Sequence, residues 1–331
     1  MRLMADAGRA EVDAALVDLE KRIKKEYAQA ANEVKAKLDR YLAQYAELDS
    51  KYRAKVKAGE MSQRDYIRWR RNRIMSTQRW IDMRNVLAQD YSNADEIARK
   101  LIGDHMLDVY AMGRNYGAYE IEHGTSLNTS YTLYNHEAVE RLIRDDPDLL
   151  PMPGEATRKA ISEGKLKAWN RKQLQSAMTQ SILQGESIPD IAKRLSRTVG
   201  TMNRNAAIRT APTATTEAEN AGKVASYKRA QGMGIQLIQE WVATLDGRTR
   251  HEHRLLDGQR CPVGGKFSVD GYEIAYPGDP SAPGYLVYNC RCALISVIKG
   301  ITDDEEMERD SRLGEMSYEE WKVSKPVYGK K

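Results

Sequence analysis

An apolar stripe runs through the first fifty residues, and it constrains the fold more than any other feature of the sequence. Its members are spaced three or four residues apart, which places them on one face of a long α-helix. They are Val12, Leu16, Leu19, Ile23, Tyr27, Ala30, Val34, Leu38, Tyr41, Tyr45, Leu48 and Tyr52. One helix cannot bury such a face alone. The stripe therefore predicts partner helices, either later in the same chain or in another molecule.

The repeat of the stripe is nearer to eleven residues than to seven. Positions 12, 23, 34 and 45 occupy equivalent places along it. A period of eleven favours a straight or slightly right-handed pairing of helices over a heptad coiled coil.

The amino-acid composition indicates a globular protein. The 331 residues are 41% hydrophobic and 30% charged, which is typical of a globular protein. Runs of about 18 apolar residues are missing, so we expect no membrane span, and acidic residues near the N-terminus do not suit a secretory signal. The net charge of +5 is compatible with polyanion contact without demonstrating it. We therefore expect a cytoplasmic protein.

A cluster of arginines surrounds Trp69 in a second helix that is predicted to begin at Ser62. Its members are Arg64, Arg68, Arg70, Arg71 and Arg73. Guanidinium groups suit phosphate or an acidic protein surface, which makes these five residues candidate nucleic-acid contacts. The alternative is that they form a solvated helix face.

Proline and glycine divide the rest of the chain. Residues 144–154 hold three prolines in eleven positions, which breaks a helix. We therefore predict a helical arm or bundle over 1–145, a Pro-rich linker over 146–160, a domain over 161–300 and an acidic-then-basic tail over 301–331. The domain begins as a helical hairpin with a turn at Gly185 and a capping box at Ser187, a motif that resembles a DNA reader but is also a general packing unit.

After Ile235 the sequence changes to short strand-like segments, separated by Gly, Pro and Asp. In the first of them, Ile238, Glu240 and Val242 alternate with Trp241 and Ala243. The predicted fold class is mainly α with a C-terminal α+β domain, in which a small mixed sheet follows the helical hairpin.

The domain carries an ordered series of motifs, "RT … W.A..D.RTR..H..LDG … F.V.G … P.DP … NCRC", over roughly residues 160–300. The series resembles the head morphogenesis domain of tailed phages, the phage Mu F-like minor head protein family. Residues matching the family motif, for which we expect a structural role, are Arg209, Thr210, Trp241, Asp246, Arg248, Arg250, Asp257, Gly258 and Asn289. One departure is that the family commonly has Glu after the Arg-Thr pair, where this chain has Ala211.

The resemblance implies a minor head protein that is made in the host cytoplasm and built into the capsid interior near the portal in few copies. Its implied partners are the portal protein and other head proteins, with non-specific contact to packaged DNA as a further candidate. The N-terminal helices lie outside the resemblance. Their stripe suits attachment to another head protein or a helix-mediated oligomer.

Cys290 and Cys292 stand one residue apart before an apolar run. In a strand they would share a face about 6–7 Å apart at Cα, which is near the limit for a disulfide and disfavoured in a reducing cytoplasm. Two readings stay open. The cysteines pack as small hydrophobes in a strand, or they bind a structural zinc with His253 and a fourth ligand from Cys261 or Asp246.

The competing class is a metal-dependent nuclease. His253 in the "HEH" of residues 251–253 would be its general base, and Asn289 would orient it. Such sites need further ligands, and no His follows His253, which leaves only aspartates to serve. The sequence therefore favours a structural protein without a catalytic residue.

Overall fold

The computed structural model describes residues 4–151, 163–302 and 308–329, with side chains from residue 8 onward. Its contacts divide the chain into two units, each assembled from separated stretches. The sheet unit comprises Met1–Glu20, Ile102–Pro153 and Arg209–Lys331, and the helical unit comprises Lys21–Leu101 and Gly154–Ile208. The predicted linker at 146–160 lies largely outside the described residues, and the linear division of the chain stays a prediction.

Long helices dominate both units. Their bounds are α1 Met4–Ala43, α2 Ala46–Lys57, α3 Gln63–Arg70, α4 Gln78–Thr125, α5 His136–Asp145, α6 Lys165–Leu183 and α7 Ile188–Gly232, with a π-helical turn at Arg71–Met75 and a 3₁₀ turn at Pro147–Leu149. No described helix combines the length and apolar character that a membrane crossing requires.

The stripe on α1 is buried within the chain from Val12 to Tyr41, except at Leu16, which is partly exposed. The prediction of partner helices in the same chain is thus confirmed for this part of the stripe. Leu48 on α2 is 46% exposed, so the buried face does not continue at that position. The periodicity alone could not show where the chain itself stops covering the stripe.

Two helices are longer than the sequence predicts. α4 runs through Asn93, a residue type that favours helix starts, and through Gly113. Similarly, α7 continues through Pro212, a residue type that usually kinks or ends a helix. Buried Ala211 and Ala214 flank this proline, and tertiary packing of that face outweighs the loss of one backbone hydrogen bond.

The sheet unit contains two small sheets. β1 Ile235–Val242 lies between β2 Arg260–Pro262 and β5 Ala293–Ile301, and β3 Phe267–Val269 pairs with β4 Tyr272–Ile274. All of these pairings are antiparallel, whereas we expected a mixed sheet. The fold class is otherwise confirmed. Alternate residues of β1 from Ile235 to Trp241 are buried, as its sequence pattern predicts.

Glycines allow α4 and α7 to pack closely within the sheet unit. A Cβ atom on Gly222 would lie 2.3 Å from the carbonyl oxygen of Tyr110, and one on Gly113 would lie 2.1 Å from that of Glu219. Ser226 also donates a hydrogen bond of 2.5 Å to the carbonyl of Arg114. This close approach fixes α7 as the platform against which the strands and loops of the sheet unit pack.

The last described helix, α10 Tyr318–Ser324, begins with a capping box formed by Ser317 and Glu320. It buries Trp321, whose indole donates to Glu122 on α4 at 2.7 Å. Lys325 forms a 2.5 Å ion pair with the same carboxylate, which is itself fully buried. The described part of the tail, residues 308–329, therefore contributes to the core of the sheet unit.

Candidate functional site at His253, Cys290 and Cys292

The site is assembled from two short segments of the sheet unit. His253 lies on helix α8, His251–Leu256, and the two cysteines lie between helix α9, Gly284–Val287, and strand β5. Asn289 has a φ of 54°, a left-handed conformation that Asn tolerates better than most residues, and it turns the chain there. The cysteines precede β5, so the prediction that they lie in a strand is wrong.

The imidazole and the two thiols converge in the interior. Nδ1 of His253 lies 3.2 Å from Sγ of Cys292 and 3.6 Å from Sγ of Cys290. The three candidate ligand atoms all lie within 4.8 Å of one another. Each residue is at most 3% exposed, and all three cysteines of the chain are free.

The other ring nitrogen of His253 determines the orientation of the imidazole. Nε2 lies 2.9 Å from the carbonyl oxygen of Leu286, which can only accept a hydrogen bond. Nε2 therefore carries the proton, and the lone pair of Nδ1 points toward the two sulfur atoms. The nearest polar partners of both ring nitrogens are therefore interior groups of the chain, and the role of His253 as the general base of a nuclease stays a prediction.

The two thiols perturb each other. Hydrogen bonding from the Cys290 thiol lowers the pKa of Cys292. The same interaction, together with burial, raises the pKa of Cys290. The arrangement therefore favours negative charge on one sulfur while its neighbour stays protonated.

Neither predicted fourth metal ligand joins the cluster. Cys261 lies on β2 and accepts a hydrogen bond of 3.2 Å from Nε2 of Gln239, so its assignment as a ligand with His253 is wrong. Asp246 receives two hydrogen bonds, of 2.6 and 2.8 Å, from Arg291. These bonds hold the pKa of the Asp246 carboxyl well below its usual range and occupy both of its oxygens.

Several residues of the family motif brace the loops around the cluster. Asp257 accepts a 2.8 Å hydrogen bond from the backbone of Ala243, and Gly258 has a φ of 77°. Arg250 donates to the carbonyl of Tyr288, and the ring of Trp241 meets the His253 ring edge-on at 6.2 Å. These contacts suit the structural role that the sequence suggests, whereas Arg209, Thr210 and Arg248 are exposed.

Sequence analysis missed two polar residues of α7 that support the cluster. Thr216 donates a 2.6 Å hydrogen bond to the carbonyl of Cys290, and Asn220 accepts one of 2.8 Å from the backbone of Leu294. Both side chains are fully or almost fully buried. Their spacing of four residues on the buried face of a helix is the signal that could have identified them.

Two nearby acids differ in their surroundings. Glu219 pairs with Arg9 at 2.8 Å and with Lys223 at 3.2 Å. Glu217 is 5% exposed, and its Oε1 atom has no hydrogen-bond partner. Burial, with a further effect from Asp279, raises the pKa of Glu217 to about 8.

A pocket of about 360 Å³ adjoins the cluster in the sheet unit. His253, Cys290 and Cys292 form part of its wall. Arginines supply much of the remaining wall, and they are Arg9, Arg248, Arg250 and Arg291. Water or a small anion in this pocket would lie next to the two cysteines.

The arginine cluster near Trp69 lies in the helical unit, and its members do not share one environment. Arg70 is fully buried, donating to Asp49 at 2.8 Å and to the carbonyl of Glu186 at 2.5 Å. The prediction that Arg70 contacts nucleic acid is therefore wrong. The other four arginines, Arg64, Arg68, Arg71 and Arg73, are exposed, and their contact with phosphate stays a prediction.

Comparison with known proteins gives two relatives and one family. Residues 172–295 match the family model described as Phage Mu protein F like protein. Over 327 residues, 95% of each chain, the sequence is 26% identical to the minor head protein GP7 of Bacillus phage SPP1. It is also 27% identical over 211 residues, 61% of this chain, to the NAD(+)--arginine ADP-ribosyltransferase EFV of Enterococcus faecalis (strain ATCC 700802 / V583), of which it spans 40%. No solved structure matches.

Proposed function

We propose that the chain is a minor head protein of a tailed bacteriophage and acts in head morphogenesis at the portal end of the capsid, because residues 172–295 match the Mu F-like family model and nearly the whole chain resembles a minor head protein. The observation that carries the proposal is the similarity to an SPP1 minor head protein along 95% of both chains. This similarity extends over the N-terminal helices as well as over residues 172–295.

The test is to locate the chain in purified phage particles. Heads are separated from tails and from soluble protein on a density gradient, and each fraction is analysed by quantitative mass spectrometry. We expect the chain in mature heads, at far fewer copies than the major capsid protein. Recovery only in the soluble fraction would contradict the proposed place in the head.

The position near the portal rests on what the family resemblance implies, and it needs a separate measurement. Chemical cross-linking of intact heads followed by mass spectrometry should join lysines of this chain to the portal protein. Cross-links to major capsid protein alone would place the chain elsewhere in the head. Self-association through the N-terminal helices also stays a prediction, although burial of the α1 stripe leaves less apolar surface for it.

We further propose that the four exposed arginines of the cluster bind DNA without sequence preference. The observation that supports this proposal is that Arg64, Arg68, Arg71 and Arg73 are all exposed and lie within ten residues of one another in the chain. Phosphate contacts release counterions, so affinity should fall steeply with salt.

Replacing these four residues with Gln should reduce both the affinity for duplex DNA and its dependence on salt. The control replaces an equal number of exposed basic residues elsewhere, namely Arg144, Lys172, Lys228 and Lys299. Equal losses in both variants would show that only net charge matters.

Enzymatic activity is a second candidate, and the partial similarity to an ADP-ribosyltransferase is the observation that favours it. More than half of that relative lies outside the shared stretch, so the activity in its name does not follow for the shared part. Incubation of the purified chain with labelled NAD⁺ and an arginine-containing acceptor tests the idea. Transfer of label to the acceptor would establish enzymatic activity. If no label is transferred, the role in the head is the only function that remains proposed.

A further inference from the structure

We propose that His253, Cys290 and Cys292 bind one Zn²⁺ ion through Nδ1 and the two Sγ atoms, with the fourth position filled by solvent from the adjoining pocket. This combination of one imidazole and two thiolates is a donor set that zinc prefers. Two thiolates would also balance the charge of the ion inside a buried site.

The distances fit a tetrahedral zinc site. With zinc bonds of about 2.0–2.1 Å to nitrogen and about 2.3 Å to sulfur, tetrahedral angles place nitrogen and sulfur about 3.6 Å apart. The distances from Nδ1 of His253 are 3.2 Å to Sγ of Cys292 and 3.6 Å to Sγ of Cys290. Small side-chain adjustments are enough to admit the ion.

The surroundings hold the three ligands in this arrangement. The hydrogen bond from Nε2 of His253 to the Leu286 carbonyl directs Nδ1 at the sulfurs, as partners of metal-binding histidines commonly do. The backbone N–H of Cys292 lies 3.4 Å from Sγ of Cys290, where it can stabilise a thiolate. Thr216 anchors the carbonyl of Cys290 from α7.

The cluster supplies three protein ligands to the proposed zinc ion, so the fourth must come from elsewhere. Among the residues that the structure describes, no fourth His, Cys, Asp or Glu belongs to it. The pocket reaches the same three residues, so water has access to the remaining position. Zinc sites with three protein ligands keep an open position of this kind.

The first experiment measures metal in the full-length protein purified without added metal. We expect about one zinc per chain. Exchange with Co²⁺ should produce the absorption bands of a tetrahedral cobalt site, with a thiolate-to-cobalt charge-transfer band in the near ultraviolet. Wild-type protein that contains no zinc and takes up neither Zn²⁺ nor Co²⁺ would overturn the proposal without any variant.

The second experiment compares cysteine variants. Cys290→Ser and Cys292→Ser should each lower zinc content several-fold and weaken the charge-transfer band. Cys261→Ser is the matched control, because Cys261 is also buried but lies outside the cluster. Equal loss of metal in all three variants would contradict the assignment of ligands.

A third comparison separates metal binding from general packing at His253. His253→Cys supplies a different zinc ligand and should retain cobalt binding with a shifted spectrum, whereas His253→Ala should lose it. Circular dichroism establishes that each variant is folded before its metal content is interpreted. Equal cobalt binding by both folded variants would exclude His253 as a ligand.

Discussion

The guanidinium of Arg70 joins separate segments of the helical unit. It donates to Asp49 on α2 and to the carbonyl of Glu186 in the turn after α6, while the Tyr66 hydroxyl donates to the same Asp49 carboxylate. Arg70→Ala would leave that buried carboxylate with only the half-exposed Arg53, 3.8 Å away, as a counterion. We expect the free energy of unfolding to fall by about 3–5 kcal/mol, measured by denaturant titration.

The matched control is Arg71→Ala, which removes an exposed arginine at the next position. We expect its effect to stay within about 0.5 kcal/mol. Similar losses in both variants would show that burial of the Arg70 charge does not matter for stability.

Glu217 makes stability depend on pH. Its folded pKa is raised from 4.5 to about 8, mainly because burial penalises the carboxylate. Below the unfolded pKa the group is neutral in both states and imposes no penalty. Between pH 4.5 and about 8 the unfolded state ionises first, so the free energy of unfolding decreases as pH rises.

Glu217→Gln should abolish this dependence. We expect the variant to match the wild type near pH 4.5 and to be more stable by about 4 kcal/mol at pH 8, because a tenfold change in an ionisation constant corresponds to about 1.4 kcal/mol. Urea denaturation across this pH range measures the difference, with Glu273→Gln at an exposed position as control. A gain that is independent of pH would contradict the assignment.

At the scale of the elements, the contact between α4 and α7 depends on the absence of side chains at their glycines. Gly222→Ala would place a Cβ atom 2.3 Å from the Tyr110 carbonyl, so the helices must separate. We expect a loss of about 1–3 kcal/mol in the free energy of unfolding. Gly232→Ala at the end of the same helix meets no atom within 4 Å and should be neutral or stabilising by up to about 1 kcal/mol. Thermal unfolding should therefore show a lower melting temperature for Gly222→Ala and an equal or higher one for Gly232→Ala.

At the scale of the whole molecule, the segment that carries the family motif does not contain all of its own core. Ile121 and Leu127 belong to the same hydrophobic cluster as Trp241 and Phe267, and residues 1–20 contribute Arg9 to Glu219. We expect residues 161–300 alone to lose most of the amide protection that they have in the full chain, measured by hydrogen exchange.

Adding back the missing residues provides the control for this fragment. Co-expression with a second fragment, residues 1–160, should restore part of the protection, because it supplies both α1 and α4. A fragment of 161–300 that is as well protected as the full chain would show that it folds independently. That result would also support the attachment role first expected of the N-terminal helices.

Local chemistry explains which features could be predicted from the sequence. The apolar period of α1, the caps at Ser62 and Ser187 and the alternation along β1 all depend on neighbours within a few residues. The motif series likewise predicted the match of residues 172–295 to the Mu F-like family model, because its spacing is a property of the chain.

Which side chains meet and which reach solvent depends on the tertiary structure. His253 is 39 residues from Cys292 along the chain, and a turn at Asn289 brings their side chains together. Arg70 and Arg71 are neighbours with the same charge, yet only Arg70 is buried against a carboxylate from another helix. Desolvation and ion pairing depend on distant segments, so no local pattern could distinguish the two arginines or exclude Cys261 from the cluster.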